Sequence, residues 1–443
     1  MKFQMKFVTL AALMAMGGLA GCKGGDGKVH VKFWHTMGQA NQAMLERMIN
    51  EFQEANPDVV IEAYSQGGYA DIAKKINDAI PAGTTPTMSF CYPDNVASYL
   101  TSGAIENMES YVNNAEFGFT AEEKGVEDFV EAYWEEGKNY QEQGLYSLPY
   151  AKSTEVIFYN ATIFKHYGWT IPTTWDEMWT LCETIKTTLG ANVEYPLGYD
   201  SDSNLFITMC EQNDIPYTTK SGSNAEDHFL FVNDQAKSMV TSLKEKYVNK
   251  LMITKGCNSN QTYTSTMFTN SKIIMSIGST GGTTYNKSLN FEVGVAPLPG
   301  TSKNRHVVSQ GPSVCFFKRA SSAEKIAAWK FYKHITNAIN SATYAINTGY
   351  EPVRKSSLES PAFKAYLDEG GENYITPNGG NLLATAANCT KDFYAGQYFY
   401  SDVFNGSAQA RDAVGGIVAN VLLGTKDVDT AFNEALTSCL FVG

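Results

Sequence analysis

Residues 29–65 read VHVKFWHTMGQANQAMLERMINEFQEANPDVVIEAYS, and this stretch decides the fold class. Its first segment, VHVKFWH, and its last, VVIEAYS, are rich in the residue types typical of strands. The apolar residues between them recur at helical spacing: Met44, Leu45, Met48, Ile49 and Phe52. Asn56-Pro57 then ends the helix. A strand, a helix and a second strand in this order predict an α/β fold, with helices covering a parallel sheet.

The same alternation continues along the chain. PTMSFCY predicts a third strand, followed by a helix in NVASYLTSGAI. After residue 150, EVIFYNATIFKHYG predicts a strand and then a helix, and Thr174 is the expected N-cap of the next helix. About 420 residues after the N-terminal leader are too many for one core, so two lobes are expected.

The N-terminal residues have the features of an export signal. Lys2 and Lys6 precede an apolar segment from about Phe7 to Ala20, which is too short to span a bilayer as a helix. Leu19-Ala20-Gly21-Cys22 resembles the bacterial lipobox, whose cysteine is lipidated. We therefore expect a signal peptide at 1–21 and a lipidated, glycine-rich tether at 22–28, which hold the protein on the outer face of the cell membrane.

Composition excludes several classes of protein. A hydrophobic content of 43% argues for a folded chain, and a formal net charge of −12 argues against nucleic-acid binding. No later apolar run is long enough to span a membrane, so the lipid is the only membrane anchor expected. The seven cysteines besides Cys22 are widely spaced and include no Cys-x-x-Cys, which favours buried thiols but leaves one or two disulfides open.

The short motifs of common enzymes are absent from the sequence. The six histidines do not lie at metal-ligand spacing, and the nucleophile elbow, the phosphate-binding P-loop and the dinucleotide fingerprint do not occur. We therefore expect a binding protein without metal or cofactor. Two alternatives stay open: a tethered glycoside hydrolase with a close carboxylate pair, and an adhesion protein with an exposed apolar patch.

Six ordered segments resemble one family: FWHTM, LYSLPYAKSTEVIFYN, TTWDEM, FEVGVAPLPG, NTGYEPVRKS and AQARDAVGG. They are similar to segments of the extracellular solute-binding proteins of bacterial ABC importers, which include the maltose- and glycerol-3-phosphate-binding proteins. The resemblance implies a two-lobed periplasmic-binding-protein-like fold of type II, with the ligand cleft between lobes joined by crossover strands. It also implies a monomer that captures a carbohydrate or a glycerol-3-phosphate-like solute and delivers it to the ABC permease subunits in the membrane.

The resemblance also places the lobes. Lobe 1 is expected at 29–150 and 300–347, and lobe 2 at 151–299 and 348–443. The crossovers are expected near Pro149–Thr154, Ala296–Pro299 and Thr348–Val353. Solute binding then implies a hinge motion about these segments.

The glycerol-3-phosphate-binding members imply a set of ligand contacts. The matching positions are Tyr69, Ser153, Ser279, Gly311, Tyr350 and Arg411, of which Arg411 corresponds to the arginine that holds the phosphate. At two places the sequence differs from these proteins, in the part of the site that binds the glycerol hydroxyls. Asp94 lies near the position of a glutamate in those proteins, and Asp202 and Asn204 lie where they have tryptophans. These three residues are candidates to bind sugar hydroxyls.

The lipid anchor gives the first testable prediction. Replacement of Cys22 by Ser removes the acceptor thiol, so the chain is expected to be exported but released from the membrane. Fractionation after a salt wash measures this. A Cys22→Ser protein that stays in the membrane pellet would contradict the lipobox assignment.

Overall fold

The computed structural model describes residues 25–440. The expected signal peptide and Cys22 lie outside these residues, so their assignments stay predictions. The strands are β1 Val29–His35, β2 Val59–Ser65, β3 Met88–Cys91, β4 Leu148–Pro149, β5 Glu155–Asn160, β6 Tyr195–Tyr199, β7 Met252–Thr254, β8 Ile273–Ser279, β9 Val293–Pro297, β10 Val307–Val308, β11 Ser313–Phe316, β12 Ile375–Thr376 and β13 Tyr398–Phe399.

Helices follow most of these strands. They are α1 Gln39–Ala55, α2 Tyr69–Ala82, α3 Pro93–Thr101, α4 Glu109–Val112, α5 Glu131–Glu136, α6 Ala161–Tyr167, α7 Trp175–Leu189, α8 Asp202–Asn213, α9 Asp234–Val248, α10 Thr264–Thr269, α11 Ser322–Ile335, α12 Ala338–Thr348, α13 Lys355–Leu358, α14 Pro361–Leu367, α15 Leu382–Phe393, α16 Ser407–Leu423 and α17 Val428–Leu440. Thr174 is the N-cap of helix α7, as predicted, and forms a capping box with Glu177.

Two mixed sheets form the centres of two lobes. The sheet of lobe 1 has the strand order β2-β1-β3-β11-β4, and that of lobe 2 has the order β12-β9-β5-β8-β6-β7. The strands joined by local helices are parallel, as the alternation predicted, for example β1 with β2 and β6 with β8. Strands β11 and β5 are antiparallel to their neighbours because the chain enters each of them from the other lobe.

Each sheet has its own apolar core. The core of lobe 1 is built from residues between Val31 and Ala151 and from Val314 to Val353, with Val403 added. The core of lobe 2 extends from Val156 to Val307 and from Leu382 to Cys439. The two cores confirm the α/β two-lobed fold, and the detailed lobe limits stay a prediction.

Three segments between the lobes pair as a narrow ribbon. Ser153 pairs antiparallel with Gln310, and Lys152 pairs antiparallel with Glu351. The second crossover therefore lies at Ser309–Gly311, and its prediction at Ala296–Pro299 was wrong. Residues 296 and 297 are still inside β9, paired with β5 of lobe 2. The chain after β9 stays on lobe 2, where Gly300 pairs with Thr174.

Two further findings concern the described residues. The seven cysteines from Cys91 to Cys439 are buried and free, which confirms the prediction of buried thiols. No helix among residues 25–440 combines the length and the apolar character that a membrane span needs.

A buried ion pair fixes the ribbon to lobe 1. The ammonium of Lys152 contacts Glu136 Oε2 of α5, and the two side chains are 0% and 5% exposed. Burial raises the pKa of Glu136, while the lysine lowers it. Removal of either partner would leave the other as an unpaired buried charge, which is strongly destabilising.

Replacement of Lys152 by Met is therefore expected to lower the free energy of unfolding by about 3–5 kcal/mol, because Glu136 is left as an isolated buried carboxylate. The double variant Lys152→Met/Glu136→Gln is expected to recover most of this loss. Urea denaturation of the three proteins measures it. A double variant no more stable than the single one would contradict the pairing.

Candidate functional site

The ribbon between the lobes has two distinct faces. Residues directly opposite each other in an antiparallel pair share a face, and neighbours along a strand point to opposite faces. Ser153 and Gln310 therefore point to one face, and Lys152 and Glu351 point to the other. We call the first the cleft face and the second the rear face.

Arg411 lies between the lobes on the side of the cleft face. It is in the second turn of α16, which buries its neighbour Ala410 against lobe 2. The guanidinium donates from Nη2 to Asn204 Oδ1, and its Nη1 lies 3.9 Å from Asp94 Oδ2 of lobe 1. The side chains of Arg411 and Asp94 are 26% and 20% exposed. This contact is therefore a long, partly exposed ion pair that contributes little stability, and an anionic solute could take the place of Asp94 beside Arg411.

Buried hydrogen bonds hold Asn204 under the arginine. Its Nδ2 donates to Glu155 Oε1 at 2.8 Å and to Gln310 Oε1 at 2.9 Å. Gln310 Nε2 donates back to Asn204 Oδ1 at 2.9 Å, and Tyr199 donates its hydroxyl to Glu155 Oε2 at 2.6 Å. The series of hydrogen bonds from Glu155 through Asn204 positions the guanidinium of Arg411.

A group of tyrosines forms the aromatic part of the site. Tyr69 is the first residue of α2, and its ring centroid lies 4.4 Å from that of Tyr92. Burial raises the pKa of Tyr69, and the nearby phenols of Tyr350 and Tyr92 raise it further. Burial also raises the pKa of Tyr350. At neutral pH these side chains are therefore uncharged, and each offers a hydroxyl beside an aromatic ring.

Asp94, Gln310, Gly311 and Arg411 surround a small cavity of about 40 Å³. Gly311 has a φ of +97°, and a Cβ at this position would lie 2.2 Å from the carbonyl oxygen of Ala151. Only glycine allows the second crossover to pass this close to the first. The structure thus brings Arg411, Asp94 and Gly311 together.

The two predicted serines lie in the first crossover and at the end of β8. Ser153 exchanges two backbone hydrogen bonds with Gln310, with N–O distances of 2.8 and 2.9 Å. Ser279 ends β8 opposite Glu155, and its hydroxyl accepts a hydrogen bond from Gly281 N at 3.1 Å. Ser153 is only 4% exposed, and the contribution of both serines to solute binding stays a prediction.

Asp202 does not join this group. Its carboxylate accepts hydrogen bonds from the Thr254 hydroxyl and from Gly256 N, the latter at 2.8 Å. It thereby fastens the start of α8 to the segment after β7 within lobe 2. Its role as a ligand contact stays a prediction, with no support from these bonds.

Sequence analysis missed Glu155, Gln310 and Tyr92. Glu155 carried a signal, because it is a charged residue at the start of the otherwise apolar strand EVIFYN and is only 1% exposed. The sequence around Gln310 and Tyr92 contains no such signal. Their positions depend on strand register and on the packing of distant segments, which local sequence does not specify.

Among residues 25–440, no cluster of three His, Cys, Asp or Glu side chains is arranged to hold a metal ion. The polar groups at the site are amides, hydroxyls, one guanidinium and carboxylates. Such groups hold polar organic solutes by hydrogen bonds.

Comparisons with known proteins agree with this fold. Residues 47–368 match the family described as bacterial extracellular solute-binding protein. The sn-glycerol-3-phosphate-binding periplasmic protein UgpB of Salmonella typhimurium is 24% identical over 352 residues, 76% of this chain and 77% of that protein. The multiple sugar-binding protein of Streptococcus mutans is 24% identical over 331 residues, 71% of this chain and 72% of that protein.

Among solved structures, UgpB of Mycobacterium tuberculosis in complex with glycerophosphocholine superposes with a TM-score of 0.73 at 18% identity. The match covers 93% of this chain and 98% of that chain. The protein belongs to the bacterial extracellular solute-binding protein family. The family resemblance of the sequence is thereby confirmed.

The buried carboxyl of Glu155 predicts a pH effect on stability. Burial raises its pKa from 4.5 to about 7, against the lowering effects of Tyr199, Asn204 and Arg411. Between these two values the folded protein binds more protons than the unfolded chain, so this group makes stability fall as pH rises from about 4.5 to about 7. The stability lost over this window is about 3 kcal/mol.

Glu155→Gln removes the titration. The free energy of unfolding of the variant minus that of the wild type is expected to increase from pH 4.5 to 7 and to stay level above it. Urea denaturation at several pH values measures the difference. A difference independent of pH would show that Glu155 has an ordinary pKa.

Proposed function

We propose that the protein is the lipid-anchored substrate-binding component of an ABC importer. It captures a carbohydrate or a glycerol-3-phosphate-like solute outside the cell membrane and delivers it to the membrane permease. The observation that carries the proposal is the position of Arg411 on the cleft face, where Asn204 holds it from lobe 2 and Asp94 faces it from lobe 1.

The arginine and the aspartate suit the two ends of one solute. A guanidinium pairs its planar N–H donors with two oxygens of a phosphate group. The carboxylate of Asp94 accepts hydrogen bonds, as sugar and glycerol hydroxyls require. A solute that binds both replaces the 3.9 Å contact between them and becomes the link between the lobes. In this arrangement Tyr69, Ser153, Ser279, Gly311, Tyr350 and Asn204 complete the polar and aromatic surroundings.

The named ligands of the similar proteins support this range of solutes. They are sn-glycerol-3-phosphate, sugars and glycerophosphocholine, all of which carry hydroxyl groups. The net charge of −12 means that an anionic solute needs local donors against the protein's own field. Arg411 supplies such donors, and we propose it as the chief partner of an anionic group.

Delivery and anchoring follow from the same proposal. The lipid on Cys22 and the glycine-rich residues after it keep the two lobes near the permease as a monomer. No catalytic step is needed, because capture and release change only which groups contact the solute. The similar proteins named above are binding proteins, which supports this view. A tethered glycoside hydrolase remains the alternative, and turnover of a bound oligosaccharide would favour it.

Calorimetry with neutral sugars, sugar phosphates and sn-glycerol-3-phosphate identifies the solute class. The proposal expects saturable binding of at least one of them without any chemical change in it. No binding to any of these solutes, or hydrolysis of one of them, would contradict it.

Replacement of Arg411 by Ala tests the anionic contact. Loss of one partner of a desolvated charge pair costs roughly 2–5 kcal/mol, so glycerol-3-phosphate binding is expected to weaken about 30-fold or more. Arg411→Lys keeps the charge but loses the paired donors and is expected to be intermediate. The melting temperature of the free protein is expected to change little.

Arg47→Ala is the matched control, since this arginine pairs with Glu51 on the exposed surface of α1. It is expected to bind like the wild type. Unchanged binding in Arg411→Ala, or a wild type that binds neutral sugars and ignores glycerol-3-phosphate, would refute the anionic assignment and leave a neutral-sugar binder.

A further inference from the structure

A second and much larger cavity lies on the rear face of the ribbon. Its volume is about 920 Å³, within the range of small-molecule binding pockets. Helix α5 of lobe 1 forms one wall, α15 and the segment Ala395–Tyr400 of lobe 2 form the other, and the third crossover, Gly349–Pro352, runs between them. Of the residues implied by the family resemblance, Tyr350 alone lines this cavity, while Asp94, Gly311 and Arg411 line the small cavity of the cleft face. Tyr400 lines both cavities and separates them.

A carboxylate lies where the two walls meet. Glu351 Oε2 accepts hydrogen bonds from the Tyr133 hydroxyl of lobe 1 and, at 2.7 Å, from the Tyr398 hydroxyl of lobe 2. Glu351 Oε1 is buried and accepts none from the described residues. Burial raises the pKa of Glu351, while the hydroxyls of Tyr133 and Tyr398 and the charge of Lys152 lower it. Glu351 lines the cavity, so its carboxyl group places an acidic group between the two walls.

The walls around Glu351 are aromatic and apolar. Tyr398, Phe399 and Tyr400 follow one another along the lobe 2 wall and are half-buried. Leu358 and the buried Phe363 lie on the floor beyond the crossover. Aromatic rings next to a carboxylate are the surroundings that an organic cation prefers, because the ring faces and the carboxylate both attract positive charge.

The charges at the rim favour the same ligand. Glu131 and Glu135 of α5 line the cavity and are exposed. Two lysines also line the cavity: Lys355 Nζ donates to the backbone carbonyl of Glu127 at 3.0 Å and keeps its charge, and Lys391 Nζ lies 3.7 Å from Asp392 Oδ1. Four acidic residues line the cavity against these two lysines: Glu131, Glu135, Glu211 and Glu351. Acidic groups are therefore in excess there, although Glu135 also pairs with Lys138.

We propose that this rear cavity binds a small organic cation, an ammonium group carried on an aromatic or apolar body. The ammonium lies among the tyrosine rings near Glu351, and the body packs against Leu358 and Phe363. Because the walls belong to both lobes, the bound cation contacts lobe 1, lobe 2 and the ribbon at once. The proposal does not depend on the identity of the solute in the cleft.

Calorimetry of the lipid-free chain 25–443 with phenethylamine tests this site, and 2-phenylethanol is the uncharged probe of matched shape. The amine is expected to bind with a one-to-one stoichiometry and the alcohol at least tenfold more weakly. Glu351→Gln is expected to weaken amine binding tenfold or more. Glu359→Gln, which removes an exposed carboxylate paired with Lys364, is the matched control and is expected to bind like the wild type.

Glu351 also joins the two lobes, so a second variant separates binding from folding. Ala395 is exposed on the lobe 2 wall, and Ala395→Trp fills the cavity while Glu351 keeps its tyrosine partners. This variant is expected to lose amine binding with an unchanged melting temperature. No amine binding by the wild type, equal binding of the alcohol, or unchanged amine binding in Ala395→Trp would each overturn the proposal.

Discussion

The antiparallel pairing of Ser153 with Gln310 and of Lys152 with Glu351 is the constraint on which the rest of the molecule depends. These pairs join three crossings between two separate cores into one narrow ribbon. Because neighbouring residues of a strand point to opposite faces, a single register fixes what lies in the cleft and what lies behind it. A shift by one residue would exchange Gln310 and Ser153 with the charged groups of the rear face.

Buried polar groups enforce this register on both faces. On the rear face, Lys152 meets Glu136 of lobe 1, and Glu351 meets tyrosines of both lobes. On the cleft face, Gln310 and Glu155 are bonded to the same amide of Asn204. An unpartnered buried polar group is costly, so each of these bonds penalises any other pairing of the crossovers. The network that sets the register on the cleft face also positions Arg411.

Much of the fold was predictable because its signals are local. The strand–helix–strand pattern of 29–65, the N-cap at Thr174 and the buried cysteines are properties of short segments or of composition, and the structure confirms them. The second crossover was misplaced because the end of the apolar strand β9 looks the same in the sequence whether the chain then crosses or loops back. Local sequence does not distinguish these two outcomes.

The site was predictable only in part, for the same reason. Arg411, Asp94 and Gly311 were chosen through a family resemblance, and the structure places them around one cavity. Their contribution to binding stays a prediction. Gln310 and the rear cavity are consequences of which residues face each other across the ribbon, and that register is set by contacts over more than a hundred residues of chain. Asp202 was chosen from the sequence as a partner for a sugar hydroxyl, but its carboxylate is hydrogen-bonded to Thr254 and Gly256 within lobe 2.

The most direct test of the central claim is a crystal structure of the protein with the solute that calorimetry identifies as its tightest ligand. The account predicts density for one solute on the cleft face of the ribbon, in contact with Arg411 and with groups of both lobes. Density for the solute in the rear cavity, or on the surface of a single lobe, would contradict it.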